Sequence, residues 1–373
     1  MKTIKVVTKE FLNNLITGAS FVNKNKANSG DLKISFFVDN TFKIVSFDEE
    51  NAISIKGQVL FCEEDTNIIV NSSEIINALK VIDDDVIEFV CEDVVLSIKY
   101  LKGHIKLPLW DANNYPSPVL GDKQGTFNVP TKFLCKSLAN GLNFCEQSDT
   151  SRPVLNCIHF DITKTLVKVC ATNTLSLYYD SIEISNENEF NININYKVLN
   201  KLIQYSNDEE YTKINVYDNF IFVKYNNISI LSRNIEGKYP NYSAVINGAI
   251  KNKRQEVKID INDLNKAIKR VNISSNINSV HFTNNDNWDA VNINGYSNDT
   301  MSSVYKTQEL LSCAFDNNTD FNIAFNLNTF KNGIKPLKGE VIFNYNNNQS
   351  ALYITNKEDD SLILIMPVLK YDE

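Results

Sequence analysis

Residues 133–142, Phe-Leu-Cys-Lys-Ser-Leu-Ala-Asn-Gly-Leu, place apolar side chains one helical turn apart, which predicts a short amphipathic helix. The same spacing occurs around Phe11 and again around Leu264, so the pattern returns after about 125 residues. A second amphipathic stretch follows each of these after about 65 residues, at Ile75, Val198 and Phe330. The constant spacing predicts three successive units built on one plan.

Between the predicted helices lie short runs rich in Ile, Val, Phe and Tyr, such as Ile34–Val38, Val86–Val90, Ile214–Tyr217 and Val341–Tyr345. Polar turns join neighbouring runs, which predicts consecutive hairpins and mainly antiparallel sheets. We therefore predict an α+β fold of three repeated domains, each with two helices packed on antiparallel sheets. No Pro- or Gly-rich linker marks a boundary, so the repeat register alone places the domains at residues 1–122, 123–252 and 253–373.

Size and composition favour a folded, multidomain protein. The 373 residues exceed what one hydrophobic core usually supports, and the 43% hydrophobic and 22% charged content is that of a globular chain. No apolar run is long enough to span a bilayer, and Met1–Val7 begins a strand-like alternation without the apolar stretch of a secretory signal. We expect a cytoplasmic protein whose seven scattered cysteines are reduced.

The sequence gives little support for catalysis. Its three histidines, His104, His159 and His281, fall in predicted strands among apolar neighbours. No Gly-rich phosphate loop, nucleophile elbow or His pair at metal-ligand spacing occurs, and no close cysteine pair begins a zinc site. We predict a protein that is not an enzyme and that needs no metal or cofactor.

The net charge of −8 opposes binding to nucleic acid only if the charge is spread evenly. Acidic residues gather in predicted turns, such as Asp83–Asp85 and Glu358–Asp360, whereas lysines recur on the predicted helices. The helices are therefore more basic than the chain as a whole.

One segment, Ser232-Arg-Asn-Ile-Glu-Gly-Lys-Tyr-Pro-Asn-Tyr242, resembles a signature of the bacterial DNA polymerase III β sliding clamp family. In that family Ser-Arg, Glu-Gly and Tyr/Phe-Pro-Asp-Tyr close the second domain. Arg152–Asn156 and Val169–Asn173 are similar to its Arg-Pro-x-Leu and Val-Ala-Thr-Asp elements, and Leu362–Val368 is similar to its terminal Met-Pro strand. The resemblance is strong over residues 123–245 and 320–370 and weaker in the first domain.

The resemblance implies a head-to-tail homodimer whose six domains close a ring around double-stranded DNA, with helices lining the hole. Such a ring is a processivity factor in DNA replication: it tethers the replicative DNA polymerase and the clamp loader through short linear peptides, without sequence preference for DNA. Two alternatives stay open from the sequence. One is a clamp-fold adaptor or regulatory protein that binds replication proteins without being loaded on DNA, and the other is an enzyme on a repeated α+β scaffold.

A sliding ring must hold DNA by its phosphates and ignore the base edges, so its inner helices need long cationic side chains. The cations on or beside the predicted helices form the expected DNA-binding set, with two more in the loop after the first helix: Lys9, Lys24, Lys26, Lys80, Lys132, Lys136, Lys197, Lys201, Lys266, Lys269, Arg270, Lys331 and Lys335.

The resemblance also implies an apolar pocket between the second and third domains that takes the partner peptides. Its expected members are Leu155, Thr172, Thr174, Leu175, Leu177, Pro240, Val245, Asn326, Ile365, Met366, Pro367 and Val368. Where the family reads Ala-Thr-Asp-Gly-His-Arg-Leu, this chain reads Ala171-Thr-Asn-Thr-Leu-Ser-Leu177, so Gly, His and Arg are replaced. We expect a less basic, more apolar pocket with a different peptide preference.

The first domain departs from the family as well. It lacks the usual Arg-Pro-x-Leu-Pro stretch after the first helix and has Lys24–Gly30 in its place.

Overall fold

The structure is a computed structural model that describes residues 2–22, 31–111, 113, 115–147, 151–206, 210–273, 277–296, 307–356 and 359–368. The chain divides into two compact units, Met1–Thr131 with Gln204–Asn234, and Lys132–Ile203 with Ile235–Glu373. Each unit is built from antiparallel sheets and short helices, which agrees with the predicted α+β class.

The helices confirm the predicted repeat and add one member. Those in the described residues are α1 (Thr8–Gly18), α2 (Ser72–Lys80), α3 (Thr131–Gly141), α4 (Tyr196–Tyr205), α5 (Tyr242–Lys251), α6 (Ile261–Val271) and α7 (Leu327–Ile334). Helix α5 was not predicted. Asn241 caps it by accepting a hydrogen bond from the Ala244 N–H, and Tyr242 and Ile246 form its buried face. One cap and two buried positions are only a weak sequence signal for a helix.

The strands before residue 131 are β1 (Lys2–Val7), β2 (Asp31–Phe36), β3 (Thr41–Phe47), β4 (Asn51–Gln58), β5 (Phe61–Cys62), β6 (Thr66–Asn71), β7 (Val86–Cys91), β8 (Val95–Tyr100), β9 (Gly103–Pro108) and β10 (Lys123–Pro130). Those that follow are β11 (Cys157–Ile162), β12 (Leu166–Thr172), β13 (Ser176–Glu183), β14 (Phe190–Asn195), β15 (Tyr211–Tyr217), β16 (Phe220–Tyr225), β17 (Ile228–Arg233), β18 (Gln255–Asp260), β19 (Ser279–Asn284), β20 (Ala290–Tyr296), β21 (Thr307–Ser312), β22 (Ala314–Phe315), β23 (Asn322–Asn326), β24 (Glu340–Tyr345), β25 (Leu352–Asn356) and β26 (Asp359–Ile365).

The first unit contains a five-stranded sheet, β5-β1-β7-β8-β9, and an eight-stranded sheet, β10-β15-β16-β17-β4-β3-β2-β6. Its core centres on Phe11 of α1, which is 2% exposed. The Phe11 ring contacts Phe36, Phe42 and Phe89 at centroid distances of 5.9, 5.1 and 5.4 Å. The apolar side chains of the first predicted helix therefore pack into this core.

The second unit contains a nine-stranded sheet, β14-β11-β12-β13-β26-β25-β24-β18-β22, and a four-stranded sheet, β21-β20-β19-β23. Strands β13 and β26 pair antiparallel, with Ser176 opposite Ile365 and Tyr179 opposite Leu362. This ladder joins segments that the sequence assigns to different domains. The ladder of β17 with β4 does the same in the first unit.

Both of these ladders pair strands from two different predicted domains. The sheets therefore do not mark where one domain ends, and the boundaries near residues 122 and 252 stay a prediction. Among the described residues, no helix is long and apolar enough to cross a membrane. All seven cysteines lie in the described part of the chain and none of them forms a disulfide.

Candidate functional site

All twelve residues of the predicted pocket lie in the second unit, around the end of the β13–β26 ladder. Their exposure separates them into three groups. Leu155, Thr172, Leu177 and Ile365 are buried, whereas Pro367 and Val368 are half-buried. The exposed members are Thr174, Leu175, Pro240, Val245, Asn326 and Met366.

The turn between β12 and β13 is held by its own polar side chains. The Asn173 Oδ1 accepts hydrogen bonds from the Leu175 N–H at 3.1 Å and the Ser176 N–H at 2.8 Å. The Thr172 Oγ1 donates to the Ser176 carbonyl at 2.7 Å and accepts from the Thr174 N–H at 3.1 Å. These bonds fix the backbone of the turn and therefore the direction of the side chains between them.

Thr174 lies in the left-handed region, with φ of 75°. A β-branched residue is unfavourable there because its Cβ approaches the backbone, at a cost of roughly 1–2 kcal/mol. The family has Gly at this position, which adopts this conformation freely. This chain has Thr in the same conformation, and the hydrogen bonds of Asn173 and Thr172 hold the strained turn in place.

The turn presents Leu175 to solvent beside Met366. The Met366 N–H donates to the Leu175 carbonyl at 2.8 Å, which continues the β13–β26 ladder by one more bond. The two side chains are 54% and 40% exposed. They lie on the same sheet face as Leu177 and Leu364, because side chains alternate along a strand. An apolar surface from two strands therefore reaches the end of the sheet.

Helix α5 covers the middle of that same face. Tyr242 and Ile246 pack with Leu177, Leu362 and Leu364 in one apolar cluster. Val245, which is 49% exposed, lies on the flank of the helix, and exposed Pro240 precedes it. Sequence resemblance named Pro240 and Val245 without predicting the helix that carries Val245.

Three predicted pocket residues from the C-terminal part of the chain have structural roles. Asn326 caps α7 by accepting a hydrogen bond from the Thr329 N–H at 3.0 Å. Ile365 is fully buried against Gly333 of α7, where a Cβ would approach its Cδ1 to 2.6 Å. The Val368 N–H donates to the Ala324 carbonyl at 2.8 Å, which fixes the chain after Pro367. Ile365 therefore supports the surface from below and does not form it.

The predicted DNA-binding cations fall on or beside the repeated helices, and most are exposed. Lys9, Lys80, Lys132, Lys197, Lys266, Lys269, Arg270 and Lys335 are exposed, whereas Lys136, Lys201 and Lys331 are half-buried. Lys24 and Lys26 lie outside the described residues. Arg270 is engaged with Glu309 through two hydrogen bonds of 2.8 Å, and Lys266 lies 3.0 Å from Asp263. Exposed ion pairs of this kind are weak and exchange readily with water.

Lys136 differs from the exposed cations because its charge is already compensated. Its Nζ lies 2.8 Å from the Asp180 Oδ2 and 2.9 Å from the Asp359 Oδ1. Burial alone would lower the pKa of Lys136, but hydrogen bonds to the two carboxylates outweigh it and raise that pKa. Lys136 thus connects α3 to β13 and β26, and we leave it out of the DNA-binding set proposed below.

Asp180 is the buried centre of this network. It is 1% exposed and also accepts hydrogen bonds from the Ser137 and Tyr178 hydroxyls, each at 3.0 Å. The sequence analysis missed Asp180 and Asp359, because their partners are distant in sequence. An acidic residue inside an apolar strand, as in Tyr178–Ser181, was the available signal.

Comparisons with known proteins agree with this geometry. A crystal structure of the DNA polymerase sliding clamp from Bacillus subtilis matches with a TM-score of 0.89 at 18% identity, over 99% of this chain and 100% of that one. A Pseudomonas aeruginosa sliding clamp bound to griselimycin matches with a TM-score of 0.88 at 16% identity, over 99% and 100%. The protein therefore has the α+β fold of the DNA sliding clamps along its whole length.

Sequence comparisons give the family. The central domain of the DNA polymerase III beta subunit matches residues 128–241, and the C-terminal domain of that subunit matches residues 251–369. The beta sliding clamp of Bacillus subtilis is 22% identical over 275 residues, 72% of this chain and 71% of the relative. That of Mycoplasmopsis pulmonis is 22% identical over 243 residues, 62% of this chain and 65% of the relative.

The chain belongs to the DNA polymerase III beta subunit family, the beta sliding clamps. Members of this family are non-catalytic, so the chain is not an enzyme.

The Lys136 network generates a stability prediction. Lys136→Met should lower the free energy of unfolding by about 2 kcal/mol, because buried Asp180 loses its cation. Lys132→Met on the same helix is the matched control and should change it by less than about 0.5 kcal/mol, since Lys132 is exposed. Urea unfolding at pH 7 measures both, and equal effects of the two variants would contradict the structural role of Lys136.

The same network predicts a pH dependence. Burial would raise the pKa of Asp359, but hydrogen bonds from Lys136 and from Ser361 hold it below its ordinary value. The stability that this carboxylate contributes is therefore present above about pH 4 and lost as pH falls through its folded-state pKa. The difference between wild type and Lys136→Met should shrink below about pH 4.

The strained turn generates a second prediction. Thr174→Gly should raise the free energy of unfolding by about 0.5–1 kcal/mol, since Gly relieves the positive φ and only part of the gain is offset by chain entropy. Thr165→Gly, in the exposed β11–β12 turn without a positive φ, should lower it by a similar amount. Thermal unfolding of both variants tests this, and a destabilised Thr174→Gly would show that the side chain, not the backbone, maintains the turn.

Proposed function

We propose that this protein is a DNA sliding clamp, a processivity factor that encircles double-stranded DNA and tethers a replicative DNA polymerase. The observation that carries the proposal is the placement of charge on a clamp fold. Each of the six repeated helices carries an exposed or half-buried cation on it or at its end. Acidic residues such as Asp48–Glu50 and Asp83–Asp85 lie in the connections instead.

This distribution suits a protein that slides. Lysines contact phosphates as mobile point charges, and a phosphate contact carries no base information, so the contact is independent of DNA sequence. The cations proposed to face DNA are Lys9, Lys80, Lys132, Lys197, Lys201, Lys266, Lys269, Arg270, Lys331 and Lys335. Lys24 and Lys26 remain predicted members outside the described residues. Such binding weakens steeply with salt, because each phosphate contact releases counterions.

Two sheet edges that have no strand partner among the described residues support a closed dimer. Strand β9 ends the five-stranded sheet of the first unit, and strand β21 ends the four-stranded sheet of the second. Each edge has exposed apolar side chains beside it: Leu101 (87%) and Val81 (73%) near β9, and Leu310 (62%) and Ile273 (80%) on or near β21. We propose that β9 of one copy pairs with β21 of the other, because unpaired edges with apolar neighbours favour such pairing.

The two edges differ in charge. Strand β9 has exposed His104 and Lys106 and follows Lys102, whereas the acidic residue of β21, Glu309, is already paired with Arg270. Two different edges that meet in this way make a heterologous contact, which closes after two copies if the rotation is a half turn. We propose a homodimeric ring on this basis.

The ring predicts a dependence on DNA topology. Wild type should be a dimer near twice 42.4 kDa and, once loaded, should stay on nicked circular DNA but slide off linear DNA. Leu310→Lys should shift the protein to monomer and abolish retention on circles, because it places a charge in the apolar contact. Val119→Lys is the matched control, since Val119 is 77% exposed and lies outside both edges.

Light scattering and gel filtration of the loaded DNA measure these outcomes. A wild-type monomer without topology-dependent retention would contradict the ring and favour the adaptor, a clamp-fold protein that binds replication proteins without being loaded on DNA. Such an adaptor would also tolerate loss of the helix lysines. The site of action in either case is the compartment that holds the DNA, which we propose is the cytoplasm.

We further propose that the surface around Leu175, Val245 and Met366 is the pocket for short linear peptides of the polymerase and clamp loader. Its exposed apolar side chains support this, and buried Leu155, Leu177 and Ile365 hold it in place. The turn at residues 173–176 contributes no charged side chain. We propose that the pocket prefers peptides that are more apolar than those of relatives with His and Arg in this turn.

Griselimycin, the ligand of the Pseudomonas aeruginosa clamp structure, is a suitable probe. We propose that griselimycin occupies the corresponding surface of that clamp, and we expect it to bind this protein more weakly, because the turn here lacks the imidazole and the guanidinium of the family signature. The triple variant Thr174→Gly, Leu175→His, Ser176→Arg should bind it more tightly than wild type by about tenfold, the equivalent of one added hydrogen bond to a charged group. Calorimetric titration measures this, and wild-type affinity equal to that of the Pseudomonas aeruginosa clamp would contradict the altered preference.

A further inference from the structure

His159 of β11 is buried beneath the segment that leads into α5. His159 is 7% exposed. Its imidazole ring stacks on the Tyr239 ring, with the ring centroids 4.5 Å apart and an angle of 9° between the ring planes. Tyr239 is itself 8% exposed. The stacked pair therefore holds the segment against the nine-stranded sheet, just before exposed Pro240.

Hydrogen bonding assigns the proton on this imidazole. The Asn193 Nδ2 donates to the Ile235 carbonyl at 2.8 Å, so its Oδ1 is the acceptor that faces the His159 Nδ1 at 2.9 Å. The His159 Nδ1 must then carry the hydrogen and donate it. The Ile235 N–H also donates to the Asn193 carbonyl at 3.3 Å, so Asn193 holds Ile235 by two bonds.

Two tyrosines anchor the rest of the segment. The Tyr239 hydroxyl donates to the Cys170 carbonyl at 3.3 Å. The Tyr242 hydroxyl donates to the Asp161 Oδ2 at 2.9 Å, and Lys168 lies 3.1 Å from the same oxygen. Residues 235–242 are thus fixed at both ends and in the middle, and they lead directly into the helix that carries Val245.

The groups that face His159 come from every neighbouring element. Asp161 lies on its own strand, Cys170 is opposite on β12, Asn193 is opposite on β14, and Tyr239 and Tyr242 lie above it. Burial lowers the pKa of His159, although the hydrogen bond with Asn193 and the charge of Asp161 oppose this. A second proton would charge a ring enclosed by these side chains, with Asp161, itself paired with Lys168, as its nearest carboxylate.

We propose that His159 and Asn193 are positioning residues for the peptide pocket. Neutral His159 donates a hydrogen bond to Asn193, and Asn193 in turn holds Ile235. Residues 235–242 are thereby kept in place as a wall of the pocket that carries Pro240 and leads to Val245. This inference rests on the proposed pocket. It assigns to His159 a role that its place in a predicted strand among apolar neighbours did not indicate. The wall loosens as His159 gains a proton at acid pH.

The test separates the ring stack from the hydrogen bond. His159→Phe keeps an aromatic ring against Tyr239 and removes the donor, whereas His159→Gln keeps a donor for Asn193 and removes the ring. His281→Phe is the matched control, because His281 is another strand histidine next to an aromatic ring, with its centroid 4.2 Å from Tyr296 on a different sheet. Hydrogen exchange of residues 235–250 and griselimycin affinity are measured for each protein between pH 7.5 and 5.

We expect His159→Phe to speed exchange in residues 235–250 about tenfold relative to the rest of the chain, because loss of the hydrogen bond from His159 to the Asn193 Oδ1 favours local opening. His159→Gln and His281→Phe should change that segment less. In wild type, exchange there relative to the rest of the chain should rise, and griselimycin affinity fall, as pH drops below about 6.5, since a depressed folded-state pKa means that stability is lost as the pH falls through this range. His159→Phe should show no such pH response.

Uniform exchange changes, or an unaltered pH response in His159→Phe, would overturn the positioning role. If His159→Phe does not fold, the wild-type titration decides by the same criterion, because it compares residues 235–250 with the rest of one protein. A segment-selective exchange response without any griselimycin binding in wild type would support the positioning of residues 235–242 and contradict the proposed pocket, so the two failures are distinguishable.

Discussion

The antiparallel ladder between β13 and β26 is the contact on which the rest of the second unit depends. It pairs Ser176 with Ile365 and Leu177 with Leu364, residues about half the chain apart, and so makes one continuous sheet from two predicted domains. Backbone hydrogen bonds of this kind cannot rearrange without breaking several at once, so the register is fixed. Everything proposed as pocket is attached to it: the turn before β13, the chain after β26 and helix α5 above both.

Side-chain interactions secure the same ladder on its two faces. On one face, Lys136 connects α3 to Asp180 of β13 and Asp359 of β26, while on the other face the Tyr242 side of α5 packs on Leu177 and Leu364. The charged network fixes orientation, because it is satisfied in one geometry, and the apolar cluster supplies burial. A surface held from both sides can keep Thr174 in a strained turn, since relaxation would disturb the hydrogen bonds of Asn173 and Thr172.

The sequence predicted what depends on local pattern. Helical periodicity located six helices, and in the structure Asn71 and Asn326 cap two of them. It missed α5, because ten residues with Gly248 in their middle give a weak periodic signal. It placed Lys136 among the DNA-facing cations, because an isolated sequence shows the helix position of a lysine and not a carboxylate 223 residues away. His159 was placed correctly in a strand, but its relay to Ile235 through Asn193 is visible only in three dimensions.

Several helix cations are already paired with carboxylates, and this affects how the proposed ring could hold DNA. Lys136 is fully engaged, and Arg270 and Lys266 have acidic neighbours, so the helices offer fewer unscreened charges than their lysine count suggests. Weak phosphate contacts would be a defect in an open DNA-binding protein, whose residence depends on affinity. In a closed ring, residence depends on topology, and weak contacts instead permit movement along the duplex. A net charge of −8 is therefore compatible with a clamp, provided that the ring closes.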